Sequence, residues 1–119
     1  MDIKQGEIFW IEQDEPLGSE PAYRHPHVVI QNNVFNLSKI GTVVICGLTT
    51  NLRRATDQGN VPLKKRDGGV PKDCVVNVSQ IITVSKQELT EDNYIGILPR
   101  KTVNKIISGI RLLIEPKDI

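Results

Sequence analysis

The chain has 119 residues, the size of one domain that can bury roughly two-thirds of its unfolded surface without disulfide or metal staples. Hydrophobic residues at 39%, charged residues at 24% and a net charge of only +1 exclude a disordered or membrane-spanning chain, and no apolar run reaches the roughly 18 residues that cross a bilayer. The polar N-terminus lacks the apolar stretch of a signal peptide, and the two cysteines, Cys46 and Cys74, form no CxxC or Cys/His cluster. We therefore expect a cytoplasmic protein with neither a metal site nor a disulfide scaffold.

The apolar residues are skewed in kind. There are 12 Val and 15 Ile against 9 Leu and 2 Ala, and β-branched side chains suit a pleated, half-buried surface better than a helix. The chain is predicted to be mainly β. Residues 6–12 form the first strand, and residues 13–22, acidic and punctuated by Pro and Gly, a long loop. The second strand opens near Pro26, since proline starts a strand but does not sit inside one, and runs to Gln31. Residues 42–49 form the third strand, and the polar residues 50–60 a second long loop. Short strands follow at residues 61–65, 74–78 and 81–84, with Asp67, Gly68 and Gly69 as the turn between the first two. Residues 94–97 make another.

From residue 99 to 115 the period changes. Val103, Ile106, Ile107, Ile110, Leu113 and Ile114 fall at the spacing of one helix face, bracketed by Pro99 and Pro116. The expected fold is a small, strongly twisted antiparallel sheet or barrel carrying one C-terminal helix, a single domain over residues 1–119. The six Val, Ile and Leu residues on the helix stripe, with the β-branched surplus of the sheet, predict a homodimer that buries the excess.

Charge is uneven along the chain. Residues 1–23 carry one Lys and six acids, residues 24–72 eight Lys or Arg and two Asp, and the remainder balances. The basic middle, with Arg24, Arg53, Arg54, Lys64, Lys65 and Arg66, is either a solvated face or a phosphate-binding one. No P-loop, GxGxxG, HExxH or GxSxG motif occurs. His25 and His27 flank Pro26 and share one side of an extended strand. They read as core-edge histidines, as an acid/base pair, or as metal ligands without an obvious third partner. Thr49 and Thr50 close a strand and open a polar loop, where a hydroxyl caps a turn or holds a phosphate oxygen. Gln80, between two strand runs, is a strand-edge amide or a base reader.

Gly6-Glu7-Ile8-Phe9-Trp10, Gly18-Ser19-Glu20-Pro21, Pro26-His27-Val28-Val29-Ile30-Gln31-Asn32-Asn33, Val43-Val44-Ile45-Cys46-Gly47-Leu48-Thr49-Thr50, Asp73-Cys74-Val75-Val76 and Gln80-Ile81-Ile82-Thr83-Val84-Ser85-Lys86 together resemble, in order and spacing over nearly the whole chain, the MazF/PemK family of toxin endoribonucleases. The resemblance implies an SH3-like, MazF/CcdB-like barrel that dimerises and cuts single-stranded RNA at short sequences with neither metal nor cofactor. It also implies a toxin–antitoxin system, in which a MazE-like antitoxin wraps the toxin and blocks its RNA groove. Thr49 matches the family's catalytic threonine. Glu20, Asn32, Asn36 and Gln80 match positions lining the RNA groove, and Thr50, Arg53, Arg54, Lys64 and Lys65 are expected to add contacts to RNA.

Two departures from the family pattern stand out. The family's catalytic arginine directly precedes the strand-opening proline, where this chain has His25, with Arg24 one residue earlier. A shift of one residue along a strand reverses the face, so either a local bulge delivers Arg24 or His25 takes the role. The family's Gln-Ile-Arg-Thr is here Gln80-Ile81-Ile82-Thr83, which removes a cationic phosphate contact. The expected chemistry is attack by the RNA's own 2′-hydroxyl, giving a 2′,3′-cyclic phosphate and a 5′-hydroxyl. Arg24, His25 and Thr49 supply the charge clamp, proton transfer and hydroxyl donor. The alternatives are a non-catalytic, CcdB-like gyrase-binding toxin and a relative that binds RNA without cleaving it.

Overall fold

In the structure, a computed structural model that describes residues 2–12 and 24–119, the chain runs β1 (Glu7–Ile11), β2 (His25–Val29), α1 (Asn33–Asn36), β3 (Thr42–Thr49), β4 (Val61–Leu63), β5 (Cys74–Ser85), β6 (Tyr94–Ile97) and α2 (Arg100–Ile114). Short 3-10 turns at Leu52–Thr56, Asp67–Gly69, Lys86–Glu88 and Glu91–Asn93 join these elements. The loop expected at residues 13–22 lies outside the described residues, apart from the strand end that precedes it. Neighbouring strands are antiparallel in the order β4-β5-β3-β2-β1-β6, and the sheet curls into a half-open barrel with α2 packed on it. Among the described residues, no helix is long and apolar enough to cross a membrane.

Three element boundaries differ from the sequence reading. The strands expected at 74–78 and 81–84 are one strand, β5. Its polar middle is a bulge: Leu48 faces Val76, whereas Cys46, two residues away on β3, faces Ile81. Asn60 repairs the interrupted ladder by accepting from the Val78 N–H at 2.9 Å and donating to the Arg54 carbonyl at 3.0 Å. β2 stops at Val29 rather than Gln31, because the Ile30 and Gln31 amides converge on the Val44 carbonyl at 3.1 and 3.3 Å. The chain then turns into α1, which Asn32 caps by accepting from the Val34 N–H at 2.8 Å. β4 ends at Leu63 because aspartates capture the next two amides, Asp67 that of Lys64 at 2.9 Å and Asp73 that of Lys65 at 2.7 Å.

Both faces of the sheet are buried. Ile8, Val28, Cys46, Leu48 and Val76 pack with Val103, Ile106 and Ile110 of α2. Phe9, Ile11, Val29, Val43 and Ile45 form the second cluster, with Ile3 and Leu89. Two-sided burial explains why the strands read as nearly unbroken apolar runs rather than alternating ones, and each fully buried Val, Leu, Ile or Phe contributes up to about 1.5–3 kcal/mol. The helix stripe is only partly covered: Leu113 and Ile114 in the last turn remain 52% and 66% exposed, and Leu112 beside them 40%.

The barrel seam is sealed without a strand ladder. The turn Asp67–Gly69, between β4 and β5, lies directly on β6. A Cβ at Gly96 would sit 2.2 Å from the Gly68 carbonyl oxygen, and one at Gly69 2.6 Å from the Ile95 carbonyl oxygen. Backbone meets backbone there, and only glycine admits the approach.

Candidate active site

The site follows from one proline. Pro26 has no N–H to give, and the pairing of β2 with β3 begins only at His27, opposite Gly47. At its start β2 is therefore held by β1 alone, through Ile11 opposite His25 and Trp10 opposite Pro26. A notch opens between the start of β2 and the end of β3. The segment from Val70 to Lys72, returning towards β5, covers it and leaves a cavity of about 150 Å³. That volume is below the usual range for drug-sized ligands and fits part of one nucleotide.

The cavity has an apolar floor of Leu48, Val70 and Cys74, and a polar wall of Arg24, His25, Thr49, Thr50 and Lys72 beside Trp10. β2 shows no bulge here, since its register with β1 is continuous from Val28 to His25. Arg24, just outside the strand, and His25, its first residue, both reach the cavity. Arg24 is exposed. Its guanidinium lies 5.2 Å from the centroid of the Trp10 ring, and its Nη2 donates to Asn93 Oδ1 at 3.0 Å. His25 and Thr49 are almost fully buried. Thr49 Oγ1 accepts from the Asn51 N–H at 3.1 Å, which ties the end of β3 to the turn that follows.

His27 stands apart from this wall. It is completely buried, its Nδ1 lies 3.0 Å from the His25 carbonyl oxygen, and burial pushes its pKa down to about 4, with the His25 charge adding to the shift and the carbonyl bond opposing it. It is a neutral imidazole that donates from Nδ1, and its Nε2 has no hydrogen-bond partner among the described residues. The cysteines are equally inert. Burial raises the Cys46 thiol to about 12, and raises Cys74 to about 11 with Asp73 and Asp67 adding to it, so neither is a thiolate nucleophile near neutrality. Among the described residues no group of three or more His, Cys, Asp or Glu is placed to hold a metal ion.

The remaining expected site residues distribute as follows. Arg53 and Arg54 lie on the turn after β3, Arg54 bridged to Asp57 at 3.1 Å. Lys64 and Lys65 follow β4, where Asp67 and Asp73 bond their backbone amides and, with Arg66 and Lys72, cations outnumber carboxylates four to two. Gln80 sits half-buried on the β5 bulge. Asn32 caps α1. Asn36 is buried, donating to the Gln31 carbonyl at 2.8 Å and accepting from the Gln31 side chain at 3.0 Å. Neither asparagine lines the cavity. Glu20 lies outside the described residues. Ile82, where the family has arginine, packs against the second apolar cluster. Trp10 and Lys72 are wall residues that sequence reasoning did not single out.

Comparison with known proteins agrees with this architecture. Residues 4–114 match the family model for the PemK-like, MazF-like toxin of type II toxin-antitoxin system. The chain is 36% identical over 115 residues to the endoribonuclease MazF2 of Mycobacterium bovis, covering 97% of this chain and 99% of that protein. It is 29% identical over 91 residues to the endoribonuclease EndoA of Bacillus subtilis, covering 76% and 78%. Among solved structures, a mycobacterial endoribonuclease in complex with its cognate antitoxin superposes with a TM-score of 0.73 at 27% identity, covering 98% of this chain and 99% of that one. With the family model and a near-full-length relative both in agreement, this chain belongs to the PemK-like, MazF-like toxins of type II toxin–antitoxin systems.

Proposed function

We propose that the protein is a metal-independent endoribonuclease that cleaves single-stranded RNA at specific short sequences, as the toxin of a type II toxin–antitoxin pair. The observation that carries this reading is the convergence of Arg24, His25 and Thr49 on one cavity in a chain of this family. The cavity offers what RNA self-cleavage needs. His25 takes the proton of the 2′-hydroxyl as that oxygen attacks phosphorus. The bond from phosphorus to the 5′-oxygen breaks, a proton is returned to the leaving oxygen, and the products are a 2′,3′-cyclic phosphate and a 5′-hydroxyl. Arg24 and the Thr49 hydroxyl donate to the phosphate oxygens, where negative charge accumulates. Arginine suits the clamp and not the base, because it stays protonated at any working pH.

The relative that superposes as a complex with its cognate antitoxin supports a MazE-like antitoxin as the natural inhibitor of this chain, acting in the cytoplasm. A homodimer accounts for the exposed last turn of α2, with a second copy covering Leu113 and Ile114. Incubation of the pure protein with a long single-stranded RNA in EDTA tests the activity. Discrete fragments ending in a cyclic phosphate are expected. Intact RNA that still binds would overturn the proposal in favour of a non-cleaving RNA binder, and a chain that ignores RNA and inhibits gyrase would overturn it in favour of a CcdB-like toxin. Sedimentation showing only monomer at micromolar concentration would remove the dimer.

A further inference from the structure

We propose that Asn93 is the positioning residue for Arg24, fixing the guanidinium at the cavity rim before RNA arrives. The inference rests on the reading of Arg24 as the phosphate clamp. Arg24 lies just ahead of β2, outside the ladder, and is exposed; an arginine so placed samples many rotamers and loses that freedom on gripping a phosphate. Here two distant elements remove the freedom in advance.

The first is Trp10 of β1, whose ring lies under the guanidinium at 5.2 Å. A cation over a ring is held near it but receives no directional bond from it. The second is Asn93, 69 residues along the chain, whose Oδ1 accepts from Nη2 at 3.0 Å and supplies the direction that the ring does not. A guanidinium has five N–H donors, so one bond to Asn93 leaves four for a phosphate.

Asn93 is itself braced. Its backbone N–H bonds the Thr90 carbonyl at 3.1 Å, closing the Glu91–Asn93 turn, and its Nδ2 approaches the Glu88 carbonyl at 3.4 Å. The next residue, Tyr94, pairs with Phe9 and meets its ring edge-on at 5.4 Å. The acceptor is thus mounted on the same sheet that carries Trp10.

The test compares Asn93→Leu, which removes the acceptor, with Asn93→Asp, which keeps the acceptor and loses the Nδ2 donor to Glu88, and with Arg24→Ala. Asn93→Leu should lower kcat/KM for RNA by about five- to tenfold, mainly through kcat, because the clamp meets charge that grows in the transition state. Asn93→Asp should recover to within about threefold of wild type. Trp10 is the sole tryptophan, so its emission in the RNA-free protein reports the stacking directly. Asn93→Leu should move that emission towards the Arg24→Ala spectrum, and Asn93→Asp should leave it in place. Equal losses in the Leu and Asp variants with the Trp10 emission of both unchanged from wild type would show that Arg24 is not displaced and overturn the proposal. Wild-type kcat/KM in Asn93→Leu beside an inactive Arg24→Ala would also overturn it while leaving the clamp intact. Wild-type cleavage by Arg24→Ala would fell the clamp reading itself, and the positioning role with it. If Asn93→Leu does not fold, Asn93→Ala is read by the same criteria.

Discussion

The Nδ1 of His27 lies 3.0 Å from the carbonyl oxygen of His25, two residues back on β2. One histidine that shares no surface with solvent thus braces the backbone of the histidine that lines the cavity. Burial holds the His27 imidazole neutral, with its pKa lowered from 6.5 to about 4. Between those values the unfolded chain takes up a proton that the folded chain refuses, so stability is complete above about pH 6.5 and falls as the pH drops towards 4. The loss over the full window is roughly 3 kcal/mol. Denaturant melts of the wild type and His27→Leu at pH 7 and pH 4.5 isolate this contribution. The wild type should lose more stability on acidification than the variant, and parallel losses would refute the assignment.

Thr49 does two jobs that substitution can separate. Its hydroxyl accepts from the Asn51 amide at 3.1 Å, and the residue lines the cavity. Thr49→Val should abolish most cleavage, by about 10²-fold or more, and cost about 1 kcal/mol of stability. Thr49→Ser keeps the hydroxyl and should stay within about tenfold of wild type. A Thr49→Val enzyme cutting RNA at the wild-type rate would exclude the hydroxyl from the chemistry.

His25 and Arg24 divide the work differently. His25→Ala should reduce the rate by about 10²- to 10⁴-fold, the loss expected when a proton-transfer group is removed. Arg24→Ala should also be severe, because the charge that meets the phosphate oxygens is lost while the proton-transfer group stays. Full activity in the double variant would overturn the whole site assignment.

Much of this was legible in the sequence. The runs at 42–49 and 94–97 and the 3.6-residue stripe of α2 are strong local patterns, and each appears with the predicted bounds to within a residue. The sequence of β5 reads as two strands because Asn77, Ser79 and Gln80 break its apolar run, and nothing local reveals that Asn60 bridges the break from 18 residues away. The site was half legible. Arg24, His25 and Thr49 stood out by type and position, whereas Trp10 and Lys72 did not, because their place on the cavity wall depends on sheet order and on the return of the loop before β5. Asn36, a groove position by resemblance, has its amide bonded to Gln31 in the turn around α1, a partner that only the fold reveals.

Arg53 and Arg54 extend the basic surface beyond the cavity. The bridge from Arg54 to Asp57 joins two half-exposed side chains and is worth at most about 1 kcal/mol, so it does not withhold Arg54 from an anion. Replacing both arginines by glutamate should weaken RNA binding by about tenfold or more at low salt and reduce its salt dependence. The affinity for an acidic antitoxin segment should fall in parallel. Unchanged binding of both partners would leave these cations as solvated surface only.

Gly96 provides a check on the barrel seam. With the Gly68 carbonyl oxygen 2.2 Å from the place of its missing Cβ, Gly96→Ala must push the seam apart and should cost about 1–3 kcal/mol. Gly41→Ala, which meets nothing within 4 Å, is the control and should melt close to the wild type. Equal melting temperatures for the two would mean that the seam yields freely.

The same seam limits how the basic rim beside it can change in length. The segment between β4 and β5 carries Lys64, Lys65, Arg66 and Lys72, yet its tip is pinned to β6 by contacts that leave no room for a single added carbon. Insertions there would have to prise the barrel open, so this rim cannot diversify by growing longer, as surface loops commonly do. Divergence in what it binds must come from exchanging side chains on a loop of constant length. On the proposed reading of this rim as an RNA contact, libraries that vary it belong at those positions, and length variation belongs elsewhere.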